Sequence, residues 1–436
     1  MKAVKFGGTS LATAEQFKKV YDIIKSDESR RYVVASAPGK RYETDTKITD
    51  MLYACYDMAV AGLDITYFFS AIKMCFDSII EGLGIDLDLS GEYAKIRDAM
   101  QRLAGRDYAA SRGEYLNSII LANYLGYDFI DAADVIFFAP DGSFDAERTN
   151  ITMSSEFKMH ERAVIPGFYG SMPNDTISTF SRGGSDITGA IVARAASADL
   201  YENWTDVSGV LMADPRIVKN PLEINTVTYR ELRELSYMGA SVLHEDSIFP
   251  VRQAGIPINI RNTNKPEDKG TMIVPDTAKY DKAHVITGIA GKKNFSVVRI
   301  EKDKMASQRG MLHSVVEIMD YNGIHIEHIP SGIDSMTLVV NSSELKGRRQ
   351  KIIESIKRAT DPDNVVVEDG LALIAVVGRG MVRVKGVAAR VFRAVADAGI
   401  NVRMIDQGSC ELNIIIGVDA DDFEAALSAI YSEFVK

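Results

Sequence analysis

Two stretches of this 436-residue chain set adjacent glycines beside a cation and short polar side chains: Lys5-Phe6-Gly7-Gly8-Thr9-Ser10 and Ser181-Arg182-Gly183-Gly184-Ser185-Asp186. Glycine lets a backbone approach a bound group closely, and the N–H groups of a turn that opens a helix attract phosphate. Lys5 and Arg182 add full positive charges, and Asp186 is able to hold either cation in place. Neither stretch has the spacing of a P-loop or of a dinucleotide fingerprint, and each taken alone also reads as a tight strand-to-helix turn. Their occurrence twice, each closing a strand, favours a shared anion site. A third stretch, Thr205-Asp206-Val207-Ser208-Gly209 through Asp214-Pro215-Arg216, has polar ends that suit either a loop around a base and ribose or an ordinary surface loop. Ser111-Arg112-Gly113-Glu114-Tyr115 precedes an apolar helix and by itself reads as a solvated helix start.

The elements that must position these groups follow from periodicity. Lys2 to Phe6 reads as a short strand, and Phe17, Val20, Tyr21 and Ile24 recur at helical spacing behind a capping box of Thr13 and Gln16. Arg31 to Ala37 is a buried strand ending at Ser36, followed by Pro38-Gly39 and a polar, mobile segment from Lys40 to Lys47. Helical pattern resumes at Ile48, Leu52, Cys55 and Ala59 and dominates to Leu125. Strand-like runs follow at residues 128–130, 135–138, 163–168 and 176–180, then a helix over 187–198, a strand over 198–204, helices over 229–238 and from Ala240, and strands over 257–261 and 271–274. This alternation predicts a mostly parallel sheet covered on both faces, with small residues at the strand ends lining a crevice.

Beyond about residue 280 the pattern repeats. Gly323-Ile324-His325-Ile326-Glu327-His328-Ile329-Pro330-Ser331-Gly332 aligns with Gly399-Ile400-Asn401-Val402-Arg403-Met404-Ile405-Asp406-Gln407-Gly408, 76 residues later. An amphipathic helix precedes each copy, from Met311 and from Val387, and an apolar strand follows, predicting two βαββαβ modules. His313, His325 and His328 read as structural histidines. A net charge of −10 argues against nucleic acid and anionic membranes as partners, leaving a small molecule. Cys55, Cys75 and Cys410 form no Cys-x-x-Cys pair, and no apolar run is long enough to span a bilayer, so the expectation is a cytoplasmic protein.

Taken together and in this order, the three motifs resemble those of the aspartate kinases of the amino-acid kinase superfamily, and the tandem repeat resembles their paired ACT domains. The resemblance implies an α/β, three-layer amino-acid kinase fold over residues 1–280, with a mostly parallel sheet between helices. Two ferredoxin-like ACT modules would follow, over 281–365 and 366–436. It implies transfer of the γ-phosphoryl of ATP to the β-carboxylate of L-aspartate, with Mg2+ held mainly by the nucleotide and water rather than by protein ligands. That step opens the route to lysine, threonine and methionine. Lys5, Asp186 and Arg182 would be catalytic; Ser36, Thr49, Glu114 and Arg182 would bind aspartate, with Glu114 on its amino group. Lys5, Gly7, Gly8, Ser10, Gly184, Thr205, Asp206, Leu211 and Arg216 would bind ATP. Lysine or threonine would act as effector near residues 308–311, 332–335 and 401–404, in a homodimer or larger homo-oligomer.

The chain departs from the family pattern at three positions. Leu211 stands where many members have Tyr, Ser241 replaces a lysine that reaches ATP, and Glu245 follows His244 where proline is common. Lys265, in Asn262-Thr263-Asn264-Lys265-Pro266, is the candidate to restore the missing charge. The competing readings are a catalytically silent amino-acid-binding regulator and an amino-acid kinase acting on another carboxylate. The latter relatives do not usually carry tandem ACT modules.

Overall fold

Lys2–Phe6 forms strand β1 in a computed structural model of the protein, which describes residues 1–435 except 182, 241, 242, 244, 278–283 and the side chains of 245 and 246. The chain divides into two units: Met1–Val210 with Glu223–Tyr229 and Val242–Ala278, and Leu211–Leu222 with Arg230–Ser241 and Lys279–Lys436.

The first unit continues from β1 through α1 (Ala14–Lys25), β2 (Arg30–Ala35), α2 (Ile48–Val60), α3 (Thr66–Leu83), α4 (Ser90–Gln101) and α5 (Arg106–Leu125). Next come β3 (Asp128–Phe129), α6 (Ala132–Val135), α7 (Ala146–Met159), β4 (Ala163–Pro166), β5 (Tyr169–Ser171), β6 (Ile177–Thr179), α8 (Gly184–Ala195) and β7 (Leu200–Thr205). After β8 (Thr226–Thr228) and α9 (Tyr229–Tyr237), which passes into the second unit, it closes with α10 (Phe249–Ala254), β9 (Ile258–Asn262) and β10 (Thr271–Val274). Eight strands form one sheet in the order β3-β4-β2-β1-β7-β9-β10-β8, in which only β9 and β10 run antiparallel to one another. Val4, Phe6, Val33 and Ala35 point into a core shared with α1 to α5. The alternate residues of β1, Lys5 among them, therefore face the other side, where α8 packs on β1 and β2.

Local chemistry explains several departures from the expected elements. Thr13 caps α1 by accepting the Gln16 N–H, but the Gln16 side chain donates to Asn264 at 3.1 Å instead of completing the box. The segment after β2 contains a bonded turn. Asp45, itself buried, takes Nε and Nη2 of Arg41 at 2.7 and 2.8 Å and the N–H groups of Arg41 and Thr46, both at 3.0 Å. Residues 135–138, expected as a strand, give the end of α6 and two isolated bridges, because Asp131 caps a short helix there by accepting the Ala133 N–H. β5 and β6 form their own antiparallel hairpin outside the large sheet.

The second unit contains β11 (Gly288–Glu301), α11 (Met311–Tyr321), β12 (Ile326–His328), β13 (Ser335–Asn341), α12 (Ser342–Leu345), α13 (Arg349–Thr360) and β14 (Asn364–Val377). It ends with α14 (Val387–Asp397), β15 (Met404–Asp406), β16 (Asn413–Asp419) and α15 (Phe423–Phe434). The repeat is visible in matched glycines: Gly310 and Gly386 precede α11 and α14 at φ 86° and 89°, and Gly323 and Gly399 follow them at φ 63° and 73°. The sheet order is β12-β13-β11-β14-β16-β15. β11 and β14, each 14 residues long, pair along their lengths and serve both copies. Residues Phe295 to Glu301 of β11 also pair with β13, while Leu371 to Val377 of β14 pair with β16. The expected division between residues 365 and 366 thus falls inside a shared strand.

Candidate active site

The C-terminal ends of the parallel strands share one edge of the first unit, because register aligns Phe6 with Ala35 and Trp204, Ala35 with Pro166, and Thr205 with Asn262. The first glycine turn leaves β1 there as a 3₁₀ turn, Gly8–Leu11. The Gly7 N–H bonds to the Trp204 carbonyl at 2.9 Å, while Gly8 and Thr9, first in the turn, have no partner within it for their N–H groups. Gly8 is needed for packing. A Cβ there would lie 2.9 Å from the Ala37 carbonyl oxygen and 3.1 Å from the Gly39 nitrogen, and Gly39 donates its N–H to Gly8 O at 2.8 Å. A Cβ at Gly7 meets nothing closer than 3.5 Å. The Ser10 hydroxyl is bonded to Thr263 at 2.8 Å, tying this turn to the end of β9.

Lys5 and Asp186 meet beneath this turn. Lys5 Nζ lies 2.6 Å from Asp186 Oδ1, and both side chains are largely buried. Asp186 sits in the first turn of α8 behind Gly183, which takes φ 59°, and Gly184, where a Cβ would lie 2.4 Å from the Phe168 ring. A third member of the cluster escaped the sequence reading. Asn203, directly opposite Lys5 in the β1–β7 register and almost fully buried, donates Nδ2–H to Asp186 Oδ1 at 2.9 Å and accepts from Lys5 Nζ at 3.4 Å. A buried amide beside the buried Glu202 in a central strand was the available signal. Arg182 and Ser241 lie outside the described residues, as does the side chain of Glu245.

On the neighbouring strand end, α5 brings Glu114 against β2. Its Oε2 has no partner, and complete burial pushes the group from 4.5 up to about 8, opposed by the nearby Ala37 N–H and by Arg112. A buried acceptor of this kind suits a cationic ligand group. Ser36 is half-buried at the end of β2, its carbonyl accepting Nδ2–H of Asn117 at 2.7 Å. Thr49, in the first turn of α2, is carried to the same end: Ile48 beside it would lie 3.5 Å from a Cβ at Gly113.

The third motif divides. Thr205 and Asp206 stay in the first unit, where the Thr205 carbonyl accepts the Thr263 N–H at 2.9 Å and its hydroxyl donates to Asp206 at 3.2 Å. Leu211 and Arg216 belong to the second unit, in which the exposed Arg216 grips Asp214 through Nε and Nη2 at 3.0 and 2.6 Å. Lys265 is exposed in the turn after β9, two residues beyond Thr263.

Comparison with known proteins adds independent findings. Residues 1–262 match the amino acid kinase family and residues 374–434 match an ACT domain. The chain is 37% identical to Aspartokinase 3 of Bacillus subtilis, with 100% of this chain and 98% of that protein aligned. It is 29% identical to chloroplastic Aspartokinase 1 of Arabidopsis thaliana, over 99% of this chain and 80% of that one. Its fold is similar to that of aspartate kinase from Clostridium acetobutylicum, with a TM-score of 0.96, 51% identity and full coverage of both chains. Escherichia coli aspartokinase III, solved with aspartate and ADP, shares the fold at a TM-score of 0.77 and 24% identity, again with 100% of each chain covered. No helix among the described residues is long and apolar enough to cross a membrane.

Proposed function

The chain belongs to the aspartokinases of the amino acid kinase family, and on that footing we propose how its residues divide the work of the reaction. The reaction is ATP-dependent phosphorylation of L-aspartate on its β-carboxylate, under allosteric control. The attacking carboxylate is already an anion, so no general base is required and catalysis reduces to alignment and charge neutralisation. Lys5 carries the positive charge toward the phosphate chain, with Asp186 orienting it. The free N–H groups of Gly8 and Thr9 and the N-terminus of α8 at Gly184 receive phosphate oxygens from the two turns, with Gly7 and Ser10 shaping the first. Arg182 clamps an aspartate carboxylate bidentately. Glu114 pairs with the substrate ammonium, beside Ser36 and Thr49. Thr205, Asp206, Leu211 and Arg216 contact the nucleotide, and Lys265 replaces the charge missing at Ser241.

Aspartokinases use ATP with Mg2+. Asp186 is already engaged by Lys5 and Asn203, and we assign the metal mainly to nucleotide oxygens and water. When bound it neutralises phosphate charge. We assign the catalytic domain to residues 1–280 and the two ACT modules to 281–436, with β11 and β14 shared between them in place of a division at 365/366, and with lysine or threonine as effector near residues 308–311, 332–335 and 401–404. We further assign a homodimeric, cytoplasmic enzyme.

The observation that carries the residue assignment is the 2.6 Å Lys5–Asp186 pair set between two glycine turns. The full-length likeness to aspartokinases disfavours a silent regulator. The test is ADP release with L-aspartate, coupled to trapping of the acyl phosphate by hydroxylamine. Turnover with a different carboxylate and none with aspartate would overturn the substrate.

A further inference from the structure

Three positions of α5 converge on one peptide group at the end of β2. At Gly113 a Cβ would lie 2.8 Å from the Ala37 Cβ, so glycine permits the close approach of helix to strand end. The Ala37 N–H lies toward the Glu114 carboxyl and favours its charged form, and Asn117 donates Nδ2–H to the carbonyl of Ser36 at 2.7 Å. That N–H and that C=O belong to the same trans peptide and point in opposite directions. The Asn117 bond therefore fixes the rotation of the Ser36–Ala37 peptide and, with it, the direction in which the Ala37 N–H is presented to Glu114. Glu114 Oε2, Asn117 Oδ1 and the Ser118 hydroxyl remain buried without partners, on one face of the helix at spacings of three and four residues. Buried polar atoms left in this state are costly unless a ligand or water meets them.

We propose that Asn117 is a positioning residue for the amino group of the amino-acid substrate, because by fixing the Ser36–Ala37 peptide it sets the backbone against which the Glu114 carboxyl is oriented toward the ammonium. The inference rests on the assignment of Glu114 made above. Its consequence is selectivity. A dicarboxylate bearing an ammonium is preferred over the same dicarboxylate without one, since only the first can pair with the oriented carboxylate. In the absence of the Asn117 bond the peptide turns, the Ala37 N–H leaves Glu114, and the carboxylate loses the direction that discriminates between them.

The test measures the KM for aspartate, the KM for ATP and the inhibition constant of succinate, which lacks the amino group, in Asn117→Ala, Asn117→Ser and Glu114→Gln. In Asn117→Ala the KM for aspartate should rise about tenfold, the loss of one hydrogen bond's worth of orientation. Asn117→Ser, which retains a donor, should show a smaller rise. The KM for ATP and the succinate constant should stay within about twofold in both, a split that simple loosening of the fold would not produce. Parallel rises for aspartate and succinate, or no rise for aspartate, overturn the role of Asn117. If Asn117→Ala does not fold, Asn117→Ser decides. A raised KM in Glu114→Gln alone removes Asn117 and keeps the Glu114 assignment; an unchanged KM in Glu114→Gln removes both.

Discussion

Replacing Glu114 with Gln should stabilise the ligand-free protein at alkaline pH while weakening its hold on aspartate. Burial raises the Glu114 carboxyl from 4.5 to about 8 in the folded chain, whereas an unfolded chain keeps the ordinary value. Below pH 4.5 the group is neutral in both states and contributes no penalty. Between 4.5 and about 8 the folded state binds more protons than the unfolded state, so the stability associated with this group is lost as pH rises. From pH 5 to pH 9 that loss amounts to on the order of 4 kcal/mol. Glutamine is neutral throughout and escapes it. Urea unfolding followed by the fluorescence of Trp204, the sole tryptophan and fully buried in β7, reads the difference directly. The advantage of the Gln variant over the wild type should grow with pH across that range. A difference that does not change with pH would refute the reasoning. In kinetics, the wild-type kcat/KM for aspartate should climb toward pH 8 as the free enzyme's Glu114 ionises, and the Gln variant should lose that limb.

Other consequences are equally direct. Lys5→Ala should fold normally and lose roughly 10²- to 10³-fold in kcat, the scale for removing one preorganised charge; a near-wild-type kcat would end its assignment. Gly8→Ala should cost about 1–3 kcal/mol in thermal unfolding, because the new Cβ meets the backbone of residues 37 and 39, while Gly7→Ala should melt like the wild type. Lys265→Ala should raise the KM for ATP or lower kcat, and unchanged values of both would remove it as the substitute cation. Calorimetric titration with lysine and threonine, singly and together, should give heat of binding; no heat from either would leave the ACT modules as dimerisation elements only.

What could be read without the structure was local. Glycine pairs at strand ends, the helix starts at Met311 and Val387, and the matched Gly323 and Gly399 follow from backbone preferences that each short segment carries with it. Motif order along the chain was equally legible, because it needs no knowledge of contacts. Tertiary structure decided which groups meet. Asn203 lies 198 residues from Lys5, and only the parallel register of β1 with β7 sets them side by side. Asn117 and Ser36 are 81 residues apart and join only where Gly113 admits α5 against the end of β2. Likewise, a repeat in sequence predicts two modules but not that β11 and β14 serve both, since strand pairing depends on long-range hydrogen bonds that no local pattern encodes. The first glycine turn shows the division most clearly. Its sequence announced a close backbone approach, and the fold determined that at Gly8 the approaching group is the backbone around Ala37 and Gly39.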